Sequence, residues 1–378
     1  MRQEIVIKNE WEKGLVEKLE NQKDAKSQRI KKLLALPDLT RTESSPLKAI
    51  IDKVLGIPEF ADFDVIKIPE IISTEILFDL FGFAKDHPAR SESDTYYVDE
   101  KNVLRTHDTV FWYYYLNALE IKEKIKNSQS FGTFCYGKVY RKDEIDRHHM
   151  NVFHQMGGLY LTPDSQKNTT FDDLKSVLVL IVKSIFGQDV NYRFVDETFP
   201  YTDPSIEVEV EINGKWMEIV GSGLPKKTVL SNFGLEGYNG WAFGFGLERL
   251  AIIKMDIPDI RLLWSQDARI TDQLKDINSK YKEVSKYPAV ERDISFVIDK
   301  NINLNNYYEL VRDEANNLIE QVELMDQYEN EEKWPGKKSY TFRIVYRSLE
   351  KTLTNEEVNK IHDKITEKTK QELQAIMR

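Results

Sequence analysis

Residues 240–250, GWAFGFGLERL, set three glycines in a strand-like run and follow them at once with Glu248 and Arg249. Glycine this dense is a feature of phosphate-binding loops, so those readings come first. A dinucleotide turn needs G-x-G-x-x-G leaving a parallel strand, and here the third glycine is replaced by Arg249. The spacing does not fit G-x-x-x-x-G-K-[ST] either. What remains is a strand whose small residues let a planar ligand approach the backbone, followed by an arginine able to stack on a base or grip a phosphate. A tight strand-to-helix junction with a surface arginine is the bland alternative.

A second constellation lies upstream in CYGKVYRKDEIDRHHMNVFHQMGGLYL, residues 135–161. Arg141 stands at a strand end, and a charged loop carries Asp143 and His149. Phe153 and Gln155 follow on a returning strand. Such a set suits ATP. Arg141, oriented by acidic neighbours, would neutralise the α-phosphate, while His149 would face the outer phosphates. Phe153 and Arg249 would take the two faces of adenine. The chemistry implied is formation of an adenylate.

These residues need a frame. From about Ile72 to Leu263 the chain is rich in aromatic and β-branched segments such as FGTFCYGKVY, VNYRFVD, IEVEVEI and KWMEIVG. Several alternate apolar with polar residues, the pattern of antiparallel strands with one buried face. Helical periodicity appears in DDLKSVLVLIVKSIF and after GFGLERL, which predicts an α+β domain on an antiparallel sheet flanked by helices. Ahead of it, one charged helix is expected over about residues 10–35. It ends at LALPDLTRTESSP, before a second helix beginning near Pro46. Trp264–Ser285 reads as a polar connector. Beyond it, strand, helix, two strands and a helix give the β-α-β-β-α order of a ferredoxin-like unit.

Composition narrows the classes. The 378 residues carry a net charge of −10, which argues against wholesale phosphate neutralisation as the basis of binding. Local basic surfaces remain possible at Lys23, Lys26, Arg29, Lys31 and Lys32. No apolar run approaches the roughly 20 residues that cross a bilayer, and MRQEIVIKNEWEKG lacks a secretory apolar core. A cytoplasmic protein is expected, with an organellar matrix as the alternative. Cys135, the single cysteine, excludes an intrachain disulfide or a cysteine zinc cluster and is expected as a small buried hydrophobe. No structural metal is expected from His148 and His149. His87 is expected to organise a loop, and His362 to face solvent.

Arg141 with its loop resembles motif 2 of the class II aminoacyl-tRNA synthetases, and GFGLERL resembles motif 3. More specifically, the chain resembles the phenylalanyl-tRNA synthetase family. The likeness is carried in order by FDLFGFAKDHPARSESDT, VLRTHD, VYRKDEIDRHHMNVFHQ, FPYTDPSIEVEVEINGKWMEIVGSG, GWAFGFGLERLAIIKMDIPDIRLLW, SKYPAVERDISFVI and KSYTFRIVYRSLEKTLTNEEVN, over about residues 40–378. It resembles the single-chain mitochondrial type. That implies a charged helical extension over 1–40, a class II catalytic domain over 41–263, a linker over 264–284, and a ferredoxin-like anticodon-binding domain over 285–378.

The resemblance implies that phenylalanine and ATP form an aminoacyl-adenylate whose acyl group passes to tRNA(Phe). Arg141 would be catalytic, with Asp143, His149, Phe153, Glu218 and Arg249 completing the ATP site and Glu218 a ligand of Mg2+. His107, Asp108, Thr109, Gln155, Phe199, Tyr201 and Ala242 would form the amino-acid pocket, the aromatic pair presenting edges to the substrate ring. Residues 285–378 hold 15 Lys/Arg against 18 Asp/Glu, so tRNA contact rests on a local stripe of Lys337, Lys338, Arg343, Arg347 and Lys351. The single-chain type leans to a monomer, with a homodimer as the alternative.

Three departures fall in the amino-acid half. Phe-Pro-Tyr over 199–201 stands for the family's Phe-Pro-Phe, His-Asp-Thr over 107–109 for His-Thr-Ser, and Gly157 for a glutamate. Asp108 is expected to replace the lost carboxylate. Rival readings are a ligase for another amino acid or acyl acceptor, and a retired paralogue that only binds RNA or protein.

Overall fold

The computed structural model describes residues 4–7, 9–284 and 287–378 and has the expected α+β architecture. The first strands are β1 (Glu4–Val6) and β2 (Asp64–Lys67), then a two-stranded ribbon of β3 (Ile71–Ser73) and β4 (Asn102–Leu104). β5 (Phe131–Tyr140), β6 (Val152–Pro163), β7 (Tyr192–Phe199), β8 (Thr202–Ile212), β9 (Lys215–Pro225) and β10 (Tyr238–Gly246) follow. One sheet takes the order β1-β2-β5-β6-β10-β9-β8-β7. Among the described residues only its β1–β2 and β2–β5 pairings are parallel.

Alternation decides which way each strand faces. Along β8, Ile206, Val208 and Val210 are buried while Glu207, Glu209 and Glu211 reach the other side, as a period of two requires. Three helices cover the buried side: Pro46–Leu55, Phe171–Phe186 and Leu247–Met255. Their starts obey local rules. Ser45 caps the first, with proline in its opening turn, and Thr170 with Asp173 closes a capping box on the second. Leu47, Ile50, Val54, Leu174, Leu178 and Ile181 there meet Val208 and Phe243 in one apolar cluster. Each such side chain stabilises the fold by roughly 1.5–3 kcal/mol. On the opposite face Phe78, Phe81, Trp112 and Tyr115 pack on Leu159, Leu161 and Ala242, with Cys135 buried among them as expected.

The N-terminal helix differs from expectation. It is two helices, Glu10–Glu20 and Ala25–Ala35, because Asp24 caps the second by accepting from the Ser27 N–H at 2.9 Å. Nor do its cations form one free surface. Arg29 pairs with Asp313 at 2.6 Å and Glu309 at 3.3 Å, Lys32 binds the Asn316 side chain and Lys31 the Gln22 carbonyl, leaving Lys23 and Lys26 exposed.

The C-terminal unit contains β11 (Val290–Asp299), β12 (Ile319–Glu329), β13 (Lys337–Tyr346) and a short added strand, β14 (Ile376–Met377), in the order β12-β13-β11-β14. Helices Asn305–Ala315 and Asn355–Glu372 cover one face through Tyr307, Val358 and Ile365 on Phe296 and Phe342. His362 does not simply face solvent. It is half-buried with Nδ1 3.0 Å from the Tyr346 hydroxyl, and burial holds its pKa below the usual value.

The connector is less polar in space than in sequence. Helix Ala268–Leu274 lies within it, and Ile270, Leu274 and Ile277 are buried in the main core. Ser285 and Lys286 lie outside the described residues. The two units also meet directly. Ile145, from the loop after β5, belongs to the C-terminal core, and its carbonyl accepts from the Val322 N–H at 3.0 Å. Buried Glu320 is bound by both Arg147 and Arg347, with Arg261 at 3.7 Å.

Candidate active site

The alternation that packs the core also opens the site. Odd-numbered residues of β6 and even-numbered residues of β10 share one face, with Gly157 paired to Gly244. Leu159, Leu161 and Ala242 close that face as core, whereas Phe153, Gln155, Gly157, Gly244 and Gly246 lie toward the outer end. A cavity of about 360 Å³ opens there, lined also by Arg141 and Asp143 after β5, Phe199 and Tyr201 before β8, Glu207 on β8, and Glu218 on β9. His107, Asp108 and Thr109 close it from the loop after β4.

The glycines of the 240–246 strand do different things. A Cβ on Gly240 would lie 1.8 Å from the Tyr160 carbonyl oxygen, so this glycine permits the β6–β10 approach. Gly244 gives a bare floor, and a Cβ on Gly246 would meet nothing within 4 Å. Glu248 turns inward. It is buried, its carboxylate accepting from the His154 N–H at 2.8 Å and facing Nδ1 at 2.6 Å. Because the Leu39 N–H donates to His154 Nε2 at 3.0 Å, Nδ1 must carry the proton. Arg249 is left for the cavity, where it pairs with Glu218 at 3.0 Å.

Arg141 lies across Phe153, guanidinium carbon 5.2 Å from the ring centroid, and its Nε donates to the Thr106 carbonyl at 2.8 Å. Burial lowers its pKa against the pull of Tyr201, Asp143 and Asp108, so a bound anion would stabilise its charged form. Asp143 is fixed through its backbone, because Arg312 donates to its carbonyl oxygen. At the mouth, the Asp146 carboxylate accepts from the backbone of His148 and His149 and sits 2.8 Å from His149 Nδ1. That contact raises the His149 pKa, while Asp146 is held down to about 2.

In the amino-acid half, burial and Arg141 push the His107 pKa down to about 3, so its ring is neutral where it stacks on Phe83 at 5.6 Å. Phe199 and Tyr201 stack parallel at 5.9 Å, with the Thr109 side chain beside the Tyr201 hydroxyl. Gln155 accepts from the Asp108 N–H at 3.0 Å. His87 organises its loop as expected, accepting from the Ala89 N–H.

The structure adds Glu207, which sequence reading did not single out. Burial and then Glu218 push its pKa to about 7. The signal was present in the alternation of IEVEVEI, which puts Glu207 on the open face. The proposed tRNA stripe is gathered only in part, Lys337 and Arg343 lying on one face of β13. Lys337 and Lys338 are successive strand residues and point to opposite faces. Arg343 is paired with Asp293 at 2.8 Å, Arg347 is held by Glu320 and the Tyr287 carbonyl, and Lys351 is paired with Glu357.

An antiparallel sheet presenting Arg141 and Arg249 to one cavity, with a ferredoxin-like unit after it, defines a class II tRNA synthetase. Residues 32–274 match the family of tRNA synthetases class II core domain (F), and residues 285–378 match the ferredoxin-fold anticodon binding domain. The chain is 41% identical over 318 residues to the chloroplastic/mitochondrial phenylalanine–tRNA ligase of Arabidopsis thaliana, spanning 82% of this chain and 71% of that protein. It is 35% identical to the mitochondrial phenylalanine–tRNA ligase of Mus musculus (82% and 74% covered) and 32% identical to that of Saccharomyces cerevisiae (89% and 88%). The chain belongs to the phenylalanine–tRNA ligase family.

Proposed function

We propose that the chain activates phenylalanine with ATP and transfers the aminoacyl group to tRNA(Phe). The observation that carries this reading is the polarity of one cavity. Arg141, Arg249 and His149, with the carboxylates Asp143, Glu207 and Glu218, form a charged half suited to a magnesium polyphosphate, and Phe199, Tyr201, Trp112 and Ala242 form an aromatic-lined half suited to the substrate ring. Between them Arg141 would hold the attacking carboxylate and the α-phosphate together as charge moves, so that proximity and neutralisation supply the rate. Phe153 and Arg249 would hold adenine, His149 would meet the outer phosphates, and Asp143 would orient Arg141. Gln155 would bind the substrate carboxylate, with His107 and Thr109 shaping the pocket wall.

The donor set fits magnesium. Glu207 and Glu218 are neighbouring carboxylates, hard oxygen donors of the kind that hold Mg2+ together with phosphates. Bound there, Mg2+ would neutralise the departing pyrophosphate. The family's anticodon-binding unit supports tRNA as acyl acceptor, with Lys337, Lys338 and Arg343 as contacts; Arg347 would first have to leave Glu320. The resemblance to the single-chain type favours a monomer. Organelle-named relatives favour an organellar matrix, and among the described residues no helix is long and apolar enough to cross a membrane.

The test is ATP–pyrophosphate exchange with each standard amino acid separately, with Arg141→Ala as control. Phenylalanine should drive exchange and the variant should abolish it. Exchange with a different amino acid alone, or with none in the presence of tRNA, would overturn the reading.

A further inference from the structure

Asp108 is 4% exposed and lines the amino-acid half of the cavity. Its carboxylate lies over the paired glycines Gly157 and Gly244. A Cβ on Gly157 would sit 2.4 Å from Asp108 Oδ2 and 2.9 Å from Cγ, and one on Gly244 would sit 3.4 Å from Oδ1. Oδ2 has no hydrogen-bond partner, and Asp108 has no ion pair among the described residues. Neither nearby arginine hydrogen-bonds it: Arg105 Nε donates to the Lys138 carbonyl and Arg141 Nε to that of Thr106. A buried carboxylate oxygen left unpaired in a cavity is costly until a ligand supplies a donor.

The neighbours decide which donor. Gln155 uses its carbonyl oxygen on the Asp108 N–H, so the end it offers to a ligand is its NH2 group, which suits a carboxylate. A substrate ammonium needs an acceptor instead. Of the other carboxylates lining the cavity, Glu248 is bound to His154, Glu218 is paired with Arg249, Glu207 stands beside Glu218, and Asp143 accepts from the Glu144 N–H. We infer that Asp108 receives the α-ammonium of the amino-acid substrate, and that residue 157 is a glycine because the Asp108 carboxylate, with the Phe111 ring beside it, occupies the space a side chain there would fill. This rests on the proposed amino-acid activation. It makes the ammonium site a carboxylate lowered from a loop onto a bare sheet, rather than a side chain rising from the sheet itself. Burial pushes the free carboxyl up to about 7, against the pull of Arg105 and Arg141, so a bound ammonium also stabilises its charged form.

The experiment measures KM for phenylalanine and for ATP, with inhibition constants for phenylalaninol, which keeps the ammonium but lacks the carboxylate, and for 3-phenylpropionate, which does the reverse. Asp108→Asn should weaken phenylalanine and phenylalaninol roughly tenfold to a hundredfold and leave ATP and 3-phenylpropionate nearly unchanged. Gly157→Ala, which displaces the same carboxylate, should shift the same two ligands and add little on top of Asp108→Ala. Unaltered phenylalaninol inhibition in Asp108→Asn, or equal losses for all four ligands, would overturn the inference. A wild-type chain that gives no exchange with phenylalanine would instead remove the reading beneath it.

Discussion

Replacing Glu248 should damage stability and ATP binding together, and the size of the effect can be worked out. The side chain is 3% exposed and its partner His154 is fully buried. Glu248→Ala leaves two buried donors without an acceptor, the His154 backbone N–H and Nδ1–H. At about 1–3 kcal/mol for each orphaned group, with the imidazole also losing its charged partner, the cost is roughly 3–5 kcal/mol. For a domain of this size each kcal/mol moves Tm by about 2–4 °C, so melting should fall by roughly 6–20 °C. Glu248→Gln keeps one acceptor oxygen and should cost about 1–2 kcal/mol. Because Glu248 fixes the first turn of the helix that presents Arg249, KM for ATP should rise in both variants, more in the alanine. Calorimetry and exchange kinetics on the two proteins check this. An alanine variant that melts with the wild type and keeps its KM for ATP would refute the idea that Glu248 is the clamp behind Arg249.

Gly240→Ala should prevent folding or cost several kcal/mol, because its methyl would lie 1.8 Å from the Tyr160 carbonyl, while Gly246→Ala should melt near the wild type; circular dichroism on both variants tests this. His149 has a raised pKa from its bond to Asp146, so its charge is complete below the unfolded value and lost as pH rises through the folded one. KM for ATP should therefore climb over that rise, and the climb should flatten in His149→Ala. Glu320→Ala should cost roughly 1–3 kcal/mol, because Arg147 and Arg347 lose their shared carboxylate but keep access to water. It should also speed proteolysis of the 141–149 loop, and a variant cut no faster than wild type would show that the loop does not depend on this contact.

What the sequence discloses is what local pattern encodes. The strand that becomes a helix at Gly246–Leu247, the alternation of IEVEVEI and the β-α-β-β-α order are all period-two or period-3.6 signals, and they appear in space as read. The helix break at Asp24 was also local, but a single capping residue within a charged run is a weak signal beside the run's length. The candidate site was legible as residue types at the ends of strands, since Arg141, Phe153, Gln155 and Arg249 all line the same cavity. Direction within the site was not. Glu248 and Arg249 are adjacent in sequence and both line the cavity, yet the first is spent on His154, 94 positions away, and the second is left to meet a ligand.

The same limit explains the tail. Arg347 looked like part of a basic stripe because its sequence neighbours are basic, but its partner Glu320 lies across the strand pairing and is shared with Arg147 from the catalytic unit. Ile145 stands in a charged loop that reads as solvent-facing, whereas it completes the core of the C-terminal unit. That one residue changes how truncation should be interpreted. Removing residues 285–378 takes away more than an RNA-binding surface. It strips the apolar seat of Ile145, the Val322 N–H that binds its carbonyl, and the Arg312 guanidinium that binds the carbonyls of Asp143 and Glu144. Loss of adenylate formation in such a truncation would therefore report the loop that carries Asp143 and His149, and would not by itself place any chemistry in the C-terminal unit.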